Sequence, residues 1–503
     1  MALGRRQFLQ SVTLGGFGLL APGFQQLVAA AETDSWFQNP LALPPLEEGR
    51  LIDGARRFDL TLQYGVSNFL GNRPTPTVGI NGNYLGPVLR VQQGDEVMFR
   101  VTNRLAEPST LHWHGLNLPA VMDGGPHQVI APGKTWSSEY KIRQGACTQW
   151  YHSHMYHRTG IQVYFGLAGL LYIDDKDSKN LNLPAQYGVD DIPLVLQDRS
   201  FNQDGSLRYA SSMHDRMMGM MGQTMLVNGT AFARFEAQKS LTRFRILNGS
   251  NARIYNLEFE DQREFLQIAT DGGLLAQPAA MRSSILSPGE RIEILVEFAP
   301  GESVMLRHKS LPRRPGGGGG MMGMMSGMMA ANDRPFPIMR CDASRVISTA
   351  QQAPTQLIEP RNWAYNEAVR IRRFNLNMGM GMGMGMGMGR GGFSINGKSM
   401  DINRIDARVP LGDIEVWEIS NTSPMAHPFH IHDVQFRIIE RDGQPPGASE
   451  QGLKDTVLVN SGERVRLIMQ FENYADAKAP YMFHCHILEH EDAGMMGQFV
   501  VVS

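Results

Sequence analysis

The sequence predicts an all-β protein built as three consecutive β-sandwich domains, and three observations carry that prediction. Apolar residues alternate with period two in Val97, Phe99 and Val101, in Ile292, Ile294, Val296 and Phe298, and in Val465, Leu467, Met469 and Phe471. Side chains along a strand point alternately to its two faces, so such runs are strands with one buried face, and long helical periodicity is scarce. The length of 503 residues exceeds what one hydrophobic core serves and, at roughly 100 to 200 residues per domain, fits about three. Short markers also recur in a fixed order.

The first marker is an Asn-Gly turn at Asn81-Gly82, Asn228-Gly229 and Asn396-Gly397. A strand then runs into a polar turn at Asn103, Asn248 and Asn421, and Pro132-Gly133-Lys134, Pro288-Gly289-Glu290 or Ser461-Gly462-Glu463 opens the next alternating strand. Each marker alone recurs easily by chance. Return of all three in order at intervals of about 150 residues indicates copies of one domain. The expected boundaries are a leader over 1–31 and domains over 50–178, 188–345 and 360–503.

The leader is read from Arg5-Arg6-Gln7-Phe8-Leu9, a mildly apolar stretch from Val12 to Phe24, and the small residues Val28-Ala29-Ala30-Ala31. Paired arginines before a short apolar region look like a twin-arginine export signal, which predicts a periplasmic protein. No later segment approaches the roughly 20 apolar residues that span a bilayer. Lysine plus arginine (47) nearly balances aspartate plus glutamate (49), so the chain carries no electrostatic footprint for nucleic acid or anionic membrane. Small partners and a monomer are expected. Cys147, Cys341 and Cys485 are the only cysteines, too few for a disulfide framework. Cys147 and Cys341 either pair or stay buried thiols.

Eight of the fourteen histidines form His-x-His pairs: His112 and His114, His152 and His154, His430 and His432, His484 and His486. Residues i and i+2 of a strand share a face, so each pair can offer two imidazoles to one metal cluster. Two pairs lie in the first repeat and two in the third, so a cluster using all four lies where those repeats meet. Cys485 stands between His484 and His486 and faces the other way. One short piece of backbone can therefore bind a copper through sulfur on one side and cluster metals through imidazoles on the other. A thiolate, two imidazoles and a distant thioether form a blue-copper electron-transfer site; Cys485, His490 and Met495 supply three of these ligands and His427 the fourth. Structural zinc wants a closed set of four ligands, usually with several cysteines, and here there is one.

At His112-Trp113-His114-Gly115, His152-Ser153-His154, His427-Pro428-Phe429-His430-Ile431-His432 and His484-Cys485-His486 through Met495, the sequence resembles the multicopper oxidases over essentially the whole mature chain. The resemblance implies cupredoxin-like Greek-key sandwiches and four copper ions that couple oxidation of a reductant to reduction of dioxygen to water. By motif position, the type 2 copper takes His112 and His430. The two type 3 coppers take His114, His152, His154, His432, His484 and His486, and the type 1 copper takes His427, Cys485, His490 and Met495. The resemblance also implies that Asp123 and Glu491 deliver protons to the cluster; their bland alternatives are a turn-forming Asp and a solvated Glu.

Asn72-Arg73-Pro74 leading to Gly79-Ile80-Asn81-Gly82, with the export signal and the methionines, looks most like the periplasmic cuprous oxidases of copper tolerance. Eighteen of the thirty-one methionines fall in three windows, Met213 to Met225, Met321 to Met329 and Met378 to Met388. Methionine usually fills core gaps, but the glycine-rich flanks of the last two windows leave little to bury. Thioether arrays selecting Cu(I) are the better reading there. In the first window Met217, Met218, Met221 and Met225 lie near one helical face. Met425 matches a position that helps hold a substrate copper, with Met324, Met328 and Asp333 as further candidates. The acidic residue that the resemblance expects two positions before Met425 is Ser423, which puts that site in doubt; Asp433 or Asp333 are the substitutes.

Three functions follow in order. The first is a cuprous oxidase using Cu(I) and O2 in copper detoxification, and the second a laccase-like oxidase of small phenolic or aromatic amine reductants. The third is a copper-sequestering or scaffold protein without turnover, against which the complete ligand set speaks.

Overall fold

A computed structural model describes residues 36–71, 73–312, 333–346, 351–379 and 392–503. The leader over 1–31, Asn72, Met324, Met328 and most of the last two methionine windows lie outside the described residues. The chain divides into two compact units, Met1–Gln38 and Asn39–Ser503, and the sheets belong to the second.

Among the described residues, six sheets fall into three pairs along the chain. In the first pair, a sheet built on Ala55–Ser67, Glu96–Asn103 and Thr135–Lys141 packs against one built on Val88–Gln92, Ala168–Asp174, Cys147–His152 and His112–His114. Phe58, Leu60, Val97 and Phe99 from one sheet meet Leu89, Trp113, Tyr151 and Leu171 from the other in one buried core. The second pair centres on Asp191–Arg199, Leu241–Asn248 and Arg291–Glu297 against Ser303–His308 and Phe336–Asp342. The third centres on Arg370–Met378, Ile414–Asn421 and Arg464–Gln470 against His427–Ile431, Asp476–Cys485 and Met496–Val502. The chain is all-β, as the alternating runs predict, and its three sandwiches are cupredoxin-like.

The recurring markers make the same hydrogen bonds three times. Asn81, Asn228 and Asn396 all sit at positive φ (55°, 52° and 54°), where asparagine is among the few tolerated residues. Their Oδ1 atoms accept from the amides of Thr61, Val195 and Asn375 at 2.7 Å each, and their Nδ2 groups donate to Asp59, Pro193 and Arg373 carbonyls. Asn103, Asn248 and Asn421 each donate to two carbonyls and accept one amide: Glu107, Ile130 and Leu105; Arg253, Leu286 and Ser250; Met425, Val459 and Ser423. Gly133, Gly289 and Gly462 donate their amides back to the carbonyls of those same asparagines. Buried backbone groups must be paired, so one asparagine per repeat fastens three strand ends.

Cys147 and Cys341 are free and buried. They belong to the cores of the first and second sandwiches respectively, which is why they do not pair. The first methionine window forms a helix only over Met213–Met218. Gly219 ends it at φ 81°, so Met221 lies beyond it and Met225 is on strand Thr224–Val227, not on a continued helical face. Among the described residues no helix is long and apolar enough to cross a membrane.

Candidate metal centre

Strand pairing places the histidines. His112 lies opposite His152 and Trp150 opposite His114 in the first sandwich, while His430 lies opposite His484 and Phe429 opposite Cys485 in the third. Alternation sends Trp113 into the core against Phe99, with His112 and His114 on the other face. The two histidine faces meet, so that His154 Nε2 is 3.3 Å from His484 Nε2 across 330 positions of chain. All eight paired histidines are buried.

Their ring nitrogens sort into sets whose facing atoms lie within 4.8 Å: His114, His152 and His486; His154, His432 and His484; His112, His114 and His430. Neutral histidine carries one proton, and the outward nitrogen of most rings has an acceptor that fixes it there. His112, His152 and His430 turn Nδ1 to the carbonyls of Asp123, Ser153 and Asp455. His432 turns Nδ1 to Asp123 Oδ2 at 2.8 Å. Glu491 lies behind His154 and His484, with carboxylate oxygens 3.3 and 3.2 Å from their Nδ1 atoms. The inward Nε2 atoms are left without protons and face each other.

Those inward contacts fit metal ions. Two nitrogens about 2.0 Å from one ion stand roughly 3.3 Å apart at the tetrahedral angle. His432 to His484 is 3.2 Å and His152 Nε2 to His114 Nδ1 is 3.4 Å. His112 Nε2, His430 Nε2 and His486 Nε2 are buried with no hydrogen-bond partner, which an ion would satisfy. Burial, reinforced by neighbouring imidazoles, lowers His114, His152, His430 and His486 well below the usual histidine value, and burial takes His432 to about 4 despite the facing Asp123. Neutral imidazoles are the ligand form. Asp123 is held well below the usual carboxylate range: burial opposes ionisation, and the facing His432 and His112 rings outweigh it. Glu491 falls to about 2 for the same balance with His154 and His484.

His114 is reversed. Its Nε2 lies 3.1 Å from Asp455 Oδ1, so Nδ1 faces the cluster. Asp455 is gripped by Arg291 of the middle repeat, whose guanidinium also donates to Thr148, Gln149, Gly289 and Asp271. Gly115, at φ 82°, leaves no room for a side chain: a Cβ there would stand 2.3 Å from Asp455 Oδ2. A Cβ on Gly289 would likewise stand 3.0 Å from Cγ of the His486 ring. Arg291 and Asp455 carry no sequence signal, because each is a single charge on a different repeat.

On the opposite face of the same strand, Cys485 Sγ is 3.3 Å from His427 Nδ1 and 3.8 Å from His490 Nδ1, and the two nitrogens are 3.3 Å apart. Their outward Nε2 atoms are fixed by Ser423 Oγ at 2.7 Å and by the Met217 carbonyl at 3.1 Å. Ser423 Oγ donates onward to the Met425 carbonyl and therefore accepts from His427. Met495 is fully buried in the core that holds Cys485, its carbonyl accepting the Cys485 amide and its amide donating to His490. Met425 is buried in the core that also holds Cys485. Asp333 is engaged by His308 Nε2 at 2.7 Å and the Leu311 amide at 2.6 Å. Asp433 is buried directly after His432, and burial with Asp123 nearby pushes its carboxyl well above the usual range.

Two segments of the chain, residues 61–178 and 373–503, match family models described as multicopper oxidase. A multicopper oxidase of Staphylococcus haemolyticus is 35% identical over 93% of this chain and 93% of its own length. A cell division protein FtsP of Pectobacterium atrosepticum is 35% identical over the full length of both. Among solved structures, a laccase-like multicopper oxidase from the lignin-degrading bacterium Ochrobactrum sp., with oxidase activity towards lignin model compounds and lignosulfonate, is 36% identical. It covers 92% of this chain and 100% of its own, with a TM-score of 0.79.

Proposed function

The chain belongs to the multicopper oxidase family, and from that premise we propose that it is a cuprous oxidase, coupling one-electron oxidation of Cu(I) to four-electron reduction of O2 to water in periplasmic copper detoxification. Copper is the cofactor of the family; the proposed complement is four ions. His427, Cys485, His490 and Met495 would hold the type 1 ion, and His112 and His430 the type 2 ion. His114, His152 and His486 would hold one type 3 ion and His154, His432 and His484 the other. When bound, these ions supply one-electron redox chemistry and the place where oxygen is reduced. The observation that carries the reading is the strand around Cys485, whose sulfur faces one set of imidazoles while His484 and His486 face the other.

The chain's own groups do the rest. Burial of all ten histidines excludes bulk water from the sites. Cys485 and its two neighbours give a covalent path between the sites. Asp123, behind His112 and His432, and Glu491, behind His154 and His484, orient those rings and stand where the four protons needed per O2 must arrive. Three cupredoxin domains over 50–178, 188–345 and 360–503, reached after twin-arginine export of the 1–31 leader, complete the proposal.

The methionine windows favour Cu(I) over phenols, since soft sulfur ligands select Cu(I) and do nothing for a phenol. A laccase-like role is the second reading, favoured by the activity of the Ochrobactrum relative. Oxygen uptake by copper-loaded protein decides between them. Rapid uptake with Cu(I), and phenol oxidation that depends on added Cu(II), is the expected result; fast copper-independent phenol oxidation with sluggish Cu(I) turnover overturns it.

A further inference from the structure

Met400, Met482 and Met496, none of them a proposed copper ligand, form a buried cluster of their own, 8%, 1% and 1% exposed, with Tyr156 and Ile402 packed against it. Strand register puts this cluster beside the histidine cage. Met496 lies directly opposite His484, and Met482 precedes His484 by two positions on the same strand. Alternation therefore gives Met482, His484 and Met496 one face, while Phe483 and Cys485 turn into the sandwich core behind it. The Met482 carbonyl accepts the amide of His432 at 3.0 Å, and Tyr156 follows His154 by two positions. The cluster thus borders all three residues of the set His154, His432 and His484. Met400 reaches it from a loop tied down twice. Its amide donates to the Gly494 carbonyl, and the Gln498 side chain donates to the carbonyls of Asp401, Ile402 and Arg404.

Burying methionine gives up more rotamer freedom than burying leucine or isoleucine. The adjoining core of the third sandwich is filled mainly by Val, Ile, Leu and Phe. Space filling alone does not select three methionines here. What sets the thioether apart is its chemistry: the sulfur takes up one oxygen atom and becomes a sulfoxide, which no aliphatic side chain does. In this family the neighbouring cage is where dioxygen takes on electrons, and a molecule that leaves after two of the four is hydrogen peroxide.

We propose that Met400, Met482 and Met496 are sacrificial oxidation sites, which consume hydrogen peroxide escaping from the His154, His432 and His484 side of the cage and so spare the ligand imidazoles. In each event an S–O bond forms as the O–O bond breaks; the thioether loses two electrons, and the second oxygen leaves as water with both protons. Burial shields the three from peroxide in the medium, so the oxidant they meet is made within the protein. The inference rests on the oxidase reading and holds whether Cu(I) or a phenol is the reductant.

The test is turnover of copper-loaded full-length protein under isotopically heavy dioxygen with limiting reductant, catalase in the medium destroying peroxide there, followed by peptide mass spectrometry. Met339, equally buried in the middle repeat, is the internal control. Heavy-oxygen sulfoxide at Met400, Met482 and Met496 is expected several-fold above that at Met339. Equal label at Met339, or none at the three while oxygen is consumed, overturns the inference alone; no oxygen uptake with Cu(I) or a phenol overturns it together with the oxidase reading. In Met400→Leu/Met482→Leu/Met496→Leu, where leucine keeps nearly the same volume, initial oxygen uptake is expected to stay unchanged. Heavy oxygen then accumulates on His154 and His484 several-fold faster per turnover than in the natural protein, and histidine label that does not rise also overturns the inference. If the variant does not fold, the label in the natural protein decides by itself.

Discussion

Arg291, on the middle repeat, donates to both carboxylate oxygens of Asp455, on the third. Asp455 in turn faces His114 Nε2 on the first, so a repeat without cluster ligands of its own sets which nitrogen His114 turns inward. Removing one partner of a buried ion pair leaves the other charge uncompensated, which costs about 3–5 kcal/mol. Arg291→Met is expected to lose stability of that order in denaturant unfolding and to bind less copper per chain.

Cys485→Ser keeps the size of the side chain and removes the thiolate. The expected protein lacks the intense blue absorption and one copper per chain, and its oxygen uptake falls to background with any reductant. Retention of copper tolerance by cells carrying this variant would point instead to sequestration.

Asp123→Asn keeps an oxygen toward His432 Nδ1 and removes the charge shared with His112. Groups behind metal ligands typically change affinity or activity by about 10–100-fold. Turnover is expected to drop within that range with copper content unchanged, because no ligand is removed.

Asn248→Ala and Asn421→Ala delete equivalent clamps in different repeats. Each strands buried carbonyls and an amide that cost about 1–3 kcal/mol apiece, so both variants melt earlier. Only Asn421 fastens the Met425 carbonyl and the Ser423 amide beside His427. Loss of type 1 copper is therefore expected for Asn421→Ala and not for Asn248→Ala, as measured by blue absorbance per chain.

The repeat was legible because the residues that clamp strand ends are asparagines and glycines whose reasons are local: positive φ and short polar side chains. The histidine pairs were legible because period two puts i and i+2 on one face. Arg291 and Asp455 were not, since a buried charge reads in sequence like any surface charge until its partner from another repeat is known. Asp123 and Glu491 could be named only through resemblance; nothing in Met122-Asp123-Gly124 says that its carboxylate backs two histidines. The meeting of Met217 with His490 also depends on long-range packing, and Gly219 cut the helix shorter than its apolar pattern suggested.

His154 and His484 come from the first and third repeats, and Arg291 of the middle repeat ties those two repeats together through Thr148 and Asp455. Bringing such distant segments together costs loop-closure entropy that bound metal alone does not recover until every repeat is in place. A cage closed only by ligands from both the first and the third repeat is expected to be missing from a chain cut short before His484 and to be gapped where a repeat is misdocked. Copper content per chain then measures the fraction of molecules that have finished assembling, even where melting curves look alike.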